Sequence, residues 1–449
     1  MKSSAHTLTG FHQCTARLAG DSSIPLLAMS VSGEPSTAEH EDGVESEEAS
    51  EPQASRGSPG EVFRVFLKLG VTSFGGPIAH LGYFRDEFVV RRKWIDEASF
   101  VDLVALCQFL PGPTSSQVGF SLGVLRGYGL LGGLAAWFAL TMPSALILLA
   151  FAVGSGALNG PVAEGLLHGL KLVAVAVVAQ AVWGMSKTLI PDRVRAGIAF
   201  AAIAIVTAFG GSLGQVSAIA LGAAAGLMLC REEGASLSGH LSFPISRGSG
   251  IAALALFSVL LVIPPMVVRA TANQGLALFD AFYRSGALVF GGGHVVLPLL
   301  QAQVVTPGWV TNDAFLGGYG LAQAVPGPLF TFAAYLGAVM QREPNGIAGA
   351  TIALTAIFLP GLLLVYGTLP FWDALRTRPT AQAAMRGTNA AVVGILGAAL
   401  YSPVWTSAVL SPRDFAFALA GFLFLTVWKL PPWTVVVFLG GAGALSAFI

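Results

Sequence analysis

Charged residues are scarce in this sequence. Of its 449 residues only 11% are Asp, Glu, Lys or Arg, whereas 54% are hydrophobic and the mean hydropathy is +0.72. Soluble domains contain about 25% charged residues, so the composition excludes an ordinary globular enzyme. It also excludes a nucleic-acid-binding protein, which needs a basic face. We therefore predict an all-α protein that crosses a membrane many times.

Cysteine and the common catalytic motifs are also rare or absent. Cys14, Cys107 and Cys230 are far apart and have no metal-ligand spacing, which argues against a disulfide framework or a zinc site. The sequence contains no GxxxxGK[ST] phosphate loop and no HExxH, so ATP hydrolysis and zinc-hydrolase chemistry are not indicated. We expect no cofactor, no metal and no enzymatic activity.

The few charges are unevenly distributed. Residues 30–61 contain nine acidic residues and one basic residue among many Ser, Glu, Pro and Gly. Such a segment cannot bury enough apolar surface to fold, so we predict a disordered acidic leader at 1–60. From residue 62 onward the sequence contains 21 basic and 14 acidic residues. This excess suits an anionic substrate, but anionic lipid headgroups explain it more simply.

Apolar segments follow one another from residue 62 to the end of the chain. A helix needs about 20 apolar residues to cross about 30 Å of hydrocarbon. We predict about 10–13 membrane segments, and the candidates are 62–84, 98–123, 129–154, 163–186, 195–210, 213–230, 251–268, 278–300, 313–341, 346–369, 384–402, 413–428 and 431–449.

The polar linker at 231–250 divides these segments into two groups. The predicted domains are therefore a first transporter repeat at 62–230, the linker, a connecting transmembrane helix at 251–268 and a second transporter repeat at 278–449.

The two groups are related by an internal repeat. KLGVTSFGGP, beginning at Lys68, aligns with RSGALVFGGG, beginning at Arg284, and PGP at 111–113 aligns with PGP at 326–328. Further pairs, 215 to 218 residues apart, are Trp94 with Trp309, Phe100 with Phe315, Gln108 with Gln323, Pro143 with Pro360 and Gly169 with Gly387. One register over so long a stretch predicts two homologous halves. Six segments and a connecting helix would invert the second half, and inverted repeats are typical of transporters.

The distribution of Lys and Arg bears on this topology, because basic loops stay on the cytoplasmic side. Residues 127–170 and 196–230 contain no Lys or Arg. The remaining basic residues of the first half share one side only if segment 98–123 is a re-entrant hairpin bent at its PGP. Basic residues of the second half that fit inversion are Arg376, Arg378 and Arg386. Those that would lie outside are Arg269, Arg342 and Arg413.

Two Pro-Gly-Pro triplets interrupt the predicted segments. Proline lacks an amide hydrogen and clashes with the preceding turn, so each triplet breaks its helix. Broken backbone at membrane depth is tolerated only where it is buried or lines a wet cavity. The triplets consist of Pro111, Gly112 and Pro113 in the first half and Pro326, Gly327 and Pro328 in the second.

The helices that restart after the triplets offer donors to a ligand. Their first amides are unpaired and carry a partial positive charge. Thr114, Ser115 and Ser116 add hydroxyl groups at the first restart, and Thr331 adds one at the second. An oxyanion is the natural ligand of such a site, whereas the alternative is a packing kink in an ordinary span.

Adjacent glycines form a second pair of breaks, in SFGGP at 73–77 and FGGGH at 290–294. Glycine permits positive φ and close approach of the backbone, which would expose amide groups to a ligand. Close helix packing through small residues explains the pattern equally well. The candidate residues here are Ser73, Gly75, Gly76, Gly291 and Gly292.

Ionisable residues inside the predicted spans are candidates for binding, because they are costly in lipid. Lys68 and Arg284 are equivalent in the repeat and could neutralise a dianion, although both could instead reach a membrane interface. Lys171 lies within an apolar run, and its counterpart is Asn389. We predict that four further residues cap helices rather than relay protons, namely Glu164, His168, Asp280 and Asp313.

The residues 66–117, FLKLGVTSFGGPIAHLGYFRDEFVVRRKWIDEASFVDLVALCQFLPGPTSSQ, closely resemble the signature of the chromate ion transporter family. FGGGHVVLPLL and QAVPGPLFTFAAYLG resemble its second-half signature, and the likeness extends over 62–449 in the long-chain, two-domain form. The resemblance implies export of chromate across the bacterial cytoplasmic membrane, driven by the membrane potential or a proton gradient, and hence chromate resistance. The acidic leader lies outside the family pattern.

We hypothesise that a tetrahedral oxyanion binds between the triplets and the glycine breaks, with Lys68, Arg284 or Lys171 balancing its charge. Rocking of one half against the other would alternate access. Sulfate or a related oxyanion is an alternative substrate, because it shares the shape and charge of chromate. A membrane-embedded enzyme or scaffold that holds a lipid headgroup is a second alternative, and a homodimer stays open.

Overall fold

The computed structural model describes residues 57–446 except residues 75, 156–159, 231–242, 291–292 and 373–377. Throughout these ranges the regular elements are helices, so the predicted all-α class is confirmed. Almost all of the expected acidic leader and most of the expected linker lie outside the described residues.

Eight helices form the first half: α1 (Pro59–Thr72), α2 (Gly76–Phe84), α3 (Glu97–Phe109), α4 (Thr114–Arg126), α5 (Leu130–Ser155), α6 (Pro161–Leu189), α7 (Arg193–Phe209) and α8 (Gly211–Leu229). A wider helical turn, Arg85–Arg91, continues α2. The connecting helix is α9 (Arg247–Thr271). The described part of the second half contains α10 (Gln274–Ala287), α11 (Val296–Val304), α12 (Asn312–Ala322), α13 (Phe332–Ala338), α14 (Gly346–Thr368), α15 (Pro379–Ala399), α16 (Pro412–Thr426) and α17 (Pro432–Ser446).

Five helices in the described ranges are long and apolar enough to cross a membrane by themselves, namely α5, α6, α9, α14 and α15. The shorter helices α8 and α17 are also apolar. The chain is therefore a multi-pass membrane protein.

The first apolar segment of the chain is a hairpin that enters and leaves at one end of the molecule. Gly57, just before α1, donates its N–H to the carbonyl of Arg126 at the end of α4 (3.0 Å). After α2, Phe88 stacks on Phe66 of α1 at 5.0 Å between ring centroids. Farther along, Trp94 lies 5.2 Å from the guanidinium of Arg126. We call this end, where α1 begins, the α1 end.

The α3–α4 segment is a second hairpin at the same end, because it starts after Trp94 and finishes at Arg126. The segment 98–123 is therefore a hairpin bent at its PGP, as predicted, and its re-entrant position in the membrane stays a prediction. The segment 62–84 departs from a single span, because the glycine break turns α2 back along α1.

The second half repeats both hairpins from another end, which we call the α10 end. Gln341, after α13, donates its N–H to the carbonyl of Trp309, between α11 and α12 (2.9 Å). A Cβ on Gly275, at the start of α10, would lie 3.7 Å from Pro344, just before α14. Each of the segments 278–300 and 313–341 therefore begins and ends at the α10 end, so neither is a single membrane span.

The two ends are opposite, so the halves are inverted. α14 begins at the α10 end and runs in the same direction as α4, since Gly361 packs on Gly112 and, farther along, Tyr366 packs on Phe120. α4 runs toward the α1 end, and α5 follows it after a short turn and packs back along it. α5 and α14 therefore run in opposite directions, as inverted repeats require.

The last helices of each half pack on the other half. α7 and α8 contact α15, whereas α16 and α17 contact α6. Small residues allow the backbones to approach closely. Gly226 of α8 lies against Gly387 of α15. Gly169 of α6, which is equivalent to Gly387 in the repeat, lies against Gly440 of α17. The halves are thus interlocked, which the sequence did not reveal.

Candidate functional site

The four breaks meet in the middle of the fold through two equivalent hydrogen bonds. Gly112 of the first triplet donates its N–H to the carbonyl of Val289, in the break just after α10 (2.7 Å). Gly327 of the second triplet donates its N–H to the carbonyl of Ser73, after α1 (2.8 Å). Ser73 and Val289 are equivalent in the repeat, as are the two glycines. Each half thus binds its triplet to the broken helix of the other half.

Both triplet glycines are required by geometry. Gly112 has φ +127° and Gly327 has φ +101°, a region that L side chains rarely adopt. A Cβ on Gly112 would lie 3.0 Å from the Cα of Gly361, and a Cβ on Gly327 would collide with Ser144 Oγ. Ser144 and Gly361 follow the equivalent prolines of α5 and α14. The close approach of triplet and membrane helix is therefore also duplicated.

The first restart is lined by buried polar groups that lack partners. Thr114 begins α4, and Ser115 and Ser116 are buried in its first turn. Within the described chain, Ser116 Oγ makes no hydrogen bond, and neither does Ser73 Oγ at the neighbouring break. A buried polar group without a partner costs about 1–3 kcal/mol. These hydroxyls are thus ready to donate to a ligand.

Gln117 fixes the shape of this restart. Its Nε2 donates to the carbonyls of Pro111 and Gly361, each at 3.0 Å. The side chain thereby bridges the first triplet to α14 of the other half. Its Oε1 is buried and unpartnered in the described chain.

Helix α5 supplies further donors that the sequence analysis missed. Trp137 Nε1, Thr141 Oγ1 and Ser144 Oγ are buried without hydrogen-bond partners among the described residues. Their spacing places them on one helix face, and Ser144 lies against the second triplet. The i, i+4, i+7 spacing of polar residues in an apolar span was the signal that could have identified them.

The second restart is different. It begins with a tight helical turn, Leu329–Thr331, whose side chains are buried. Phe330 packs on Phe358 of α14 at 5.7 Å between ring centroids. Thr331, the predicted hydroxyl donor, already donates to the carbonyl of Pro328 (2.7 Å). The side chains of this turn therefore offer fewer free donors than those of the first restart.

The predicted cations do not gather at the breaks. Arg284 forms a two-pronged ion pair with Asp280, with 2.9 Å between Nε and Oδ1, and Lys171 Nζ lies 2.9 Å from Asp313 Oδ1. Lys68 is exposed on α1. The structure thus gives two of the three cations a carboxylate of their own.

Three of the remaining candidates, Gly75, Gly291 and Gly292, lie outside the described residues. Gly76 begins α2 with φ +79°, as expected for the glycine break. Asn389 lies on α15 with its Oδ1 buried and, in the described part of the chain, unpartnered.

A histidine joins the hydroxyl groups of the first half. The Nε2 of buried His80 lies 3.1 Å from the carbonyl oxygen of Ser73, and its Nδ1 lies 3.4 Å from Ser115 Oγ. The sequence did not indicate this role for His80, because His294 of the second half is not at the equivalent position of the repeat.

Known proteins resemble the chain over most of its length. The chromate transport protein of Pseudomonas aeruginosa is 28% identical over 387 residues, which cover 84% of this chain and 90% of that protein. The probable chromate transport protein of Synechococcus elongatus is 28% identical over 351 residues, or 76% of this chain and 83% of that protein. The chromate transport protein of Cupriavidus metallidurans is 25% identical over 349 residues, or 76% and 81%.

No solved structure matches the chain. The sequence profile of the family described as chromate transporter matches it twice, at residues 60–228 and 276–444, once in each half. These two matches cover most of the chain, and they include all four breaks. The protein therefore belongs to the chromate transporter family.

Proposed function

We propose that this protein is a secondary active transporter that exports chromate across the cytoplasmic membrane of a bacterium and thereby confers chromate resistance. The family and the names of the three relatives support chromate as the substrate. The observation that carries the proposal is the central meeting of four helix breaks beside the hydroxyls of Ser73 and Ser116, which have no hydrogen-bond partner among the described residues.

This centre suits a tetrahedral dianion. Hydroxyl and amide donors form strong, short hydrogen bonds to an anion, and the start of α4 adds its partial positive charge. Two of the candidate cations are already neutralised by Asp280 and Asp313. Binding by neutral donors keeps the ligand exchangeable, as a transported ion must be.

The orientation follows from the basic residues. Basic residues at the α1 end are Arg85, Arg91, Arg92, Lys93, Arg126, Lys187, Arg193, Arg195, Arg247, Arg378, Arg386 and Lys429. Those at the α10 end are Arg269, Arg342 and Arg413. Because positive charge stays in the cytoplasm, we infer that the α1 end is cytoplasmic.

The membrane potential favours export. Moving one charge through 100 mV is worth about 2.3 kcal/mol, so an inside-negative potential of that size drives a dianion outward by about 4.6 kcal/mol. Because the last helices of each half pack on the other half, we infer that the moving unit combines elements of both. One candidate unit is the bundle of α6, α7, α8, α15, α16 and α17.

Uptake into everted membrane vesicles tests this function. Labelled chromate should accumulate when a membrane potential is imposed, and Ser116→Ala should reduce the uptake while the amount of protein in the membrane stays the same. Sulfate accumulation that ignores chromate would instead identify the alternative substrate. Absence of any gradient-dependent anion flux would contradict the proposal. The homodimer stays a prediction, which the mass of the purified protein in detergent tests.

A further inference from the structure

His80 lies where the first glycine break, the first restart and the second triplet come together. Its Nε2 faces the carbonyl oxygen of Ser73 at 3.1 Å, and the same oxygen accepts the N–H of Gly327 at 2.8 Å. Its Nδ1 faces Ser115 Oγ at 3.4 Å. The imidazole thus links both halves to a hydroxyl of the candidate anion site.

These contacts fix the tautomer of the neutral ring. A carbonyl oxygen can only accept, so Nε2 carries the hydrogen and donates it to Ser73. Nδ1 of the neutral ring is then an acceptor, and the hydroxyl of Ser115 donates to it. In this state the hydrogen of Ser115 is held by His80 and is not offered to a ligand.

Protonation reverses the second contact. An imidazolium donates from both nitrogens, so Nδ1–H would donate to Ser115 Oγ and release the hydroxyl hydrogen for another acceptor. An anion that takes this hydrogen favours the protonated ring, and it is also attracted by the new positive charge. Proton and anion would therefore each strengthen the binding of the other, since such coupling is reciprocal.

We propose that His80 is an anion-linked proton site, which takes up a proton at Nδ1 when the dianion binds beside Ser115. This inference rests on the proposed function, because it needs the anion at the first restart. It implies that the occupied site carries one negative charge fewer than the dianion alone.

Other ionisable groups near α2 lie toward the α1 end. The elements packed against α2 carry Glu61, Arg64 and Lys68 on α1, Arg126 on α4, and Arg85, Asp86, Glu87 and Arg91 on the turn that continues α2. Glu61 pairs with Arg126, Arg85 with Glu97, and Glu87 with Arg91 and Arg92. Arg64, Lys68 and Asp86 are exposed. In the described chain, the contacts of His80 are with Ser73, Ser115 and aromatic Phe84, and none of them is charged.

Proton uptake on anion binding tests the proposal. The purified full-length protein in weakly buffered detergent solution is mixed with chromate above the pKa of hydrogen chromate, and a pH indicator reports protons taken up. We expect uptake approaching one proton per anion bound. By linkage, the affinity should rise by up to about tenfold for each unit of acidification in the range where the ring titrates.

His80→Gln is the decisive variant, because its amide can still donate to the Ser73 carbonyl but cannot titrate. It should bind chromate without proton uptake and with an affinity independent of pH. His294→Gln is the matched control, because His294 is partly buried and contacts Tyr319 of the second half (2.7 Å between Nδ1 and Oη). The control should retain the proton uptake of the wild type.

Two results of the proton-uptake experiment would overturn this proposal alone. The first is saturable chromate binding by the wild type with no proton uptake, which leaves the proposed function intact. The second is wild-type proton uptake by His80→Gln. If His80→Gln does not fold, Ser115→Ala replaces it, since loss of the shared hydroxyl should reduce the uptake, and unreduced uptake would count against the proposal. A wild type that binds no anion overturns the proposed function and this inference together.

Discussion

The two Pro-Gly-Pro turns have the same three residues and the same crosswise hydrogen bond, but their surroundings differ. The first turn is followed by Thr114, Ser115 and Ser116, beside His80 and the hydroxyl of Ser73, which has no partner within the described ranges. The second is followed by buried Leu329 and Phe330 and by Thr331, whose hydroxyl already donates to Pro328. The duplicated backbone thus provides the scaffold, while the ligand chemistry is concentrated in one half.

The charged residues differ in the same way. Arg284 is neutralised by Asp280, whereas the equivalent Lys68 is exposed on α1. Arg64, the counterpart of Asp280, is exposed as well. If the α1 end is cytoplasmic, the first half presents positive charge to the cytoplasm and the second half presents a neutral pair to the outside.

Replacing either triplet glycine should have the largest effect. Gly327→Ala forces a side chain into φ +101° and against Ser144, at a cost of about 1–3 kcal/mol for the backbone alone. We expect chromate uptake by vesicles to fall to background, and Gly112→Ala to behave alike because its contact is equivalent. Gly397→Ala is the control, since its new Cβ would lie more than 4 Å from every described atom outside the backbone of its own helix. Normal uptake by Gly327→Ala would show that the halves need not meet as described.

Equivalent hydroxyls at the two restarts should behave differently. In the described part of the chain the Ser116 hydroxyl has no partner, whereas the Thr331 hydroxyl donates to the carbonyl of Pro328. A hydrogen bond to a charged ligand is worth about 1.5–3 kcal/mol, so Ser116→Ala should weaken chromate binding about 10- to 100-fold. Thr331→Val should change the affinity by less than about twofold. Calorimetry on the purified variants measures both, and equal losses would contradict a ligand site concentrated in the first half.

The equivalent cations offer a further contrast. Arg284→Gln leaves Asp280 without its partner in a mostly buried position, so we expect a loss of stability of about 1–3 kcal/mol. Lys68→Gln removes an exposed charge and should leave stability unchanged within about 0.5 kcal/mol, while slowing chromate entry at low ionic strength. Thermal unfolding and salt-dependent uptake distinguish these outcomes. A loss of stability in Lys68→Gln but not in Arg284→Gln would contradict the view that Arg284 is paired and Lys68 is exposed.

The smallest effect is expected at the α1 end, at Glu87, whose equivalent in the second half is Gln303. Burial alone would raise the pKa of the Glu87 carboxyl, but Arg92 and Arg91 together hold that pKa below its ordinary value. A lowered pKa stabilises the fold above the unfolded-state pKa, and this contribution is lost as the pH falls through the lowered value. Glu87→Gln should therefore cost about 1 kcal/mol or less at neutral pH and nothing in strong acid. A pH-independent cost, seen in unfolding curves, would contradict this account.

Much of the centre could be predicted because its signals are local. A proline lacks its amide hydrogen in any context, so each triplet predicts a helix break. The internal repeat then shows that the two breaks are equivalent. The partner of Lys171 is Asp313, 142 residues away, and no periodicity encodes such a choice. The exchange of α7 and α8 for α16 and α17 was missed for the same reason, since apolar helices of similar length fit either half. Trp137, Thr141 and Ser144 were overlooked because each is unremarkable alone.

The position of the bound anion tests the central claim most directly. Anomalous diffraction at the chromium edge from crystals grown with chromate would locate the metal of the oxyanion without any assumption about the site. We predict one anomalous peak between the two triplets, with chromate oxygens about 3 Å from Ser73 Oγ and Ser116 Oγ, the normal length of a hydrogen bond. A peak beside Arg284 or Lys171, or beside the aromatic second restart, would contradict the account.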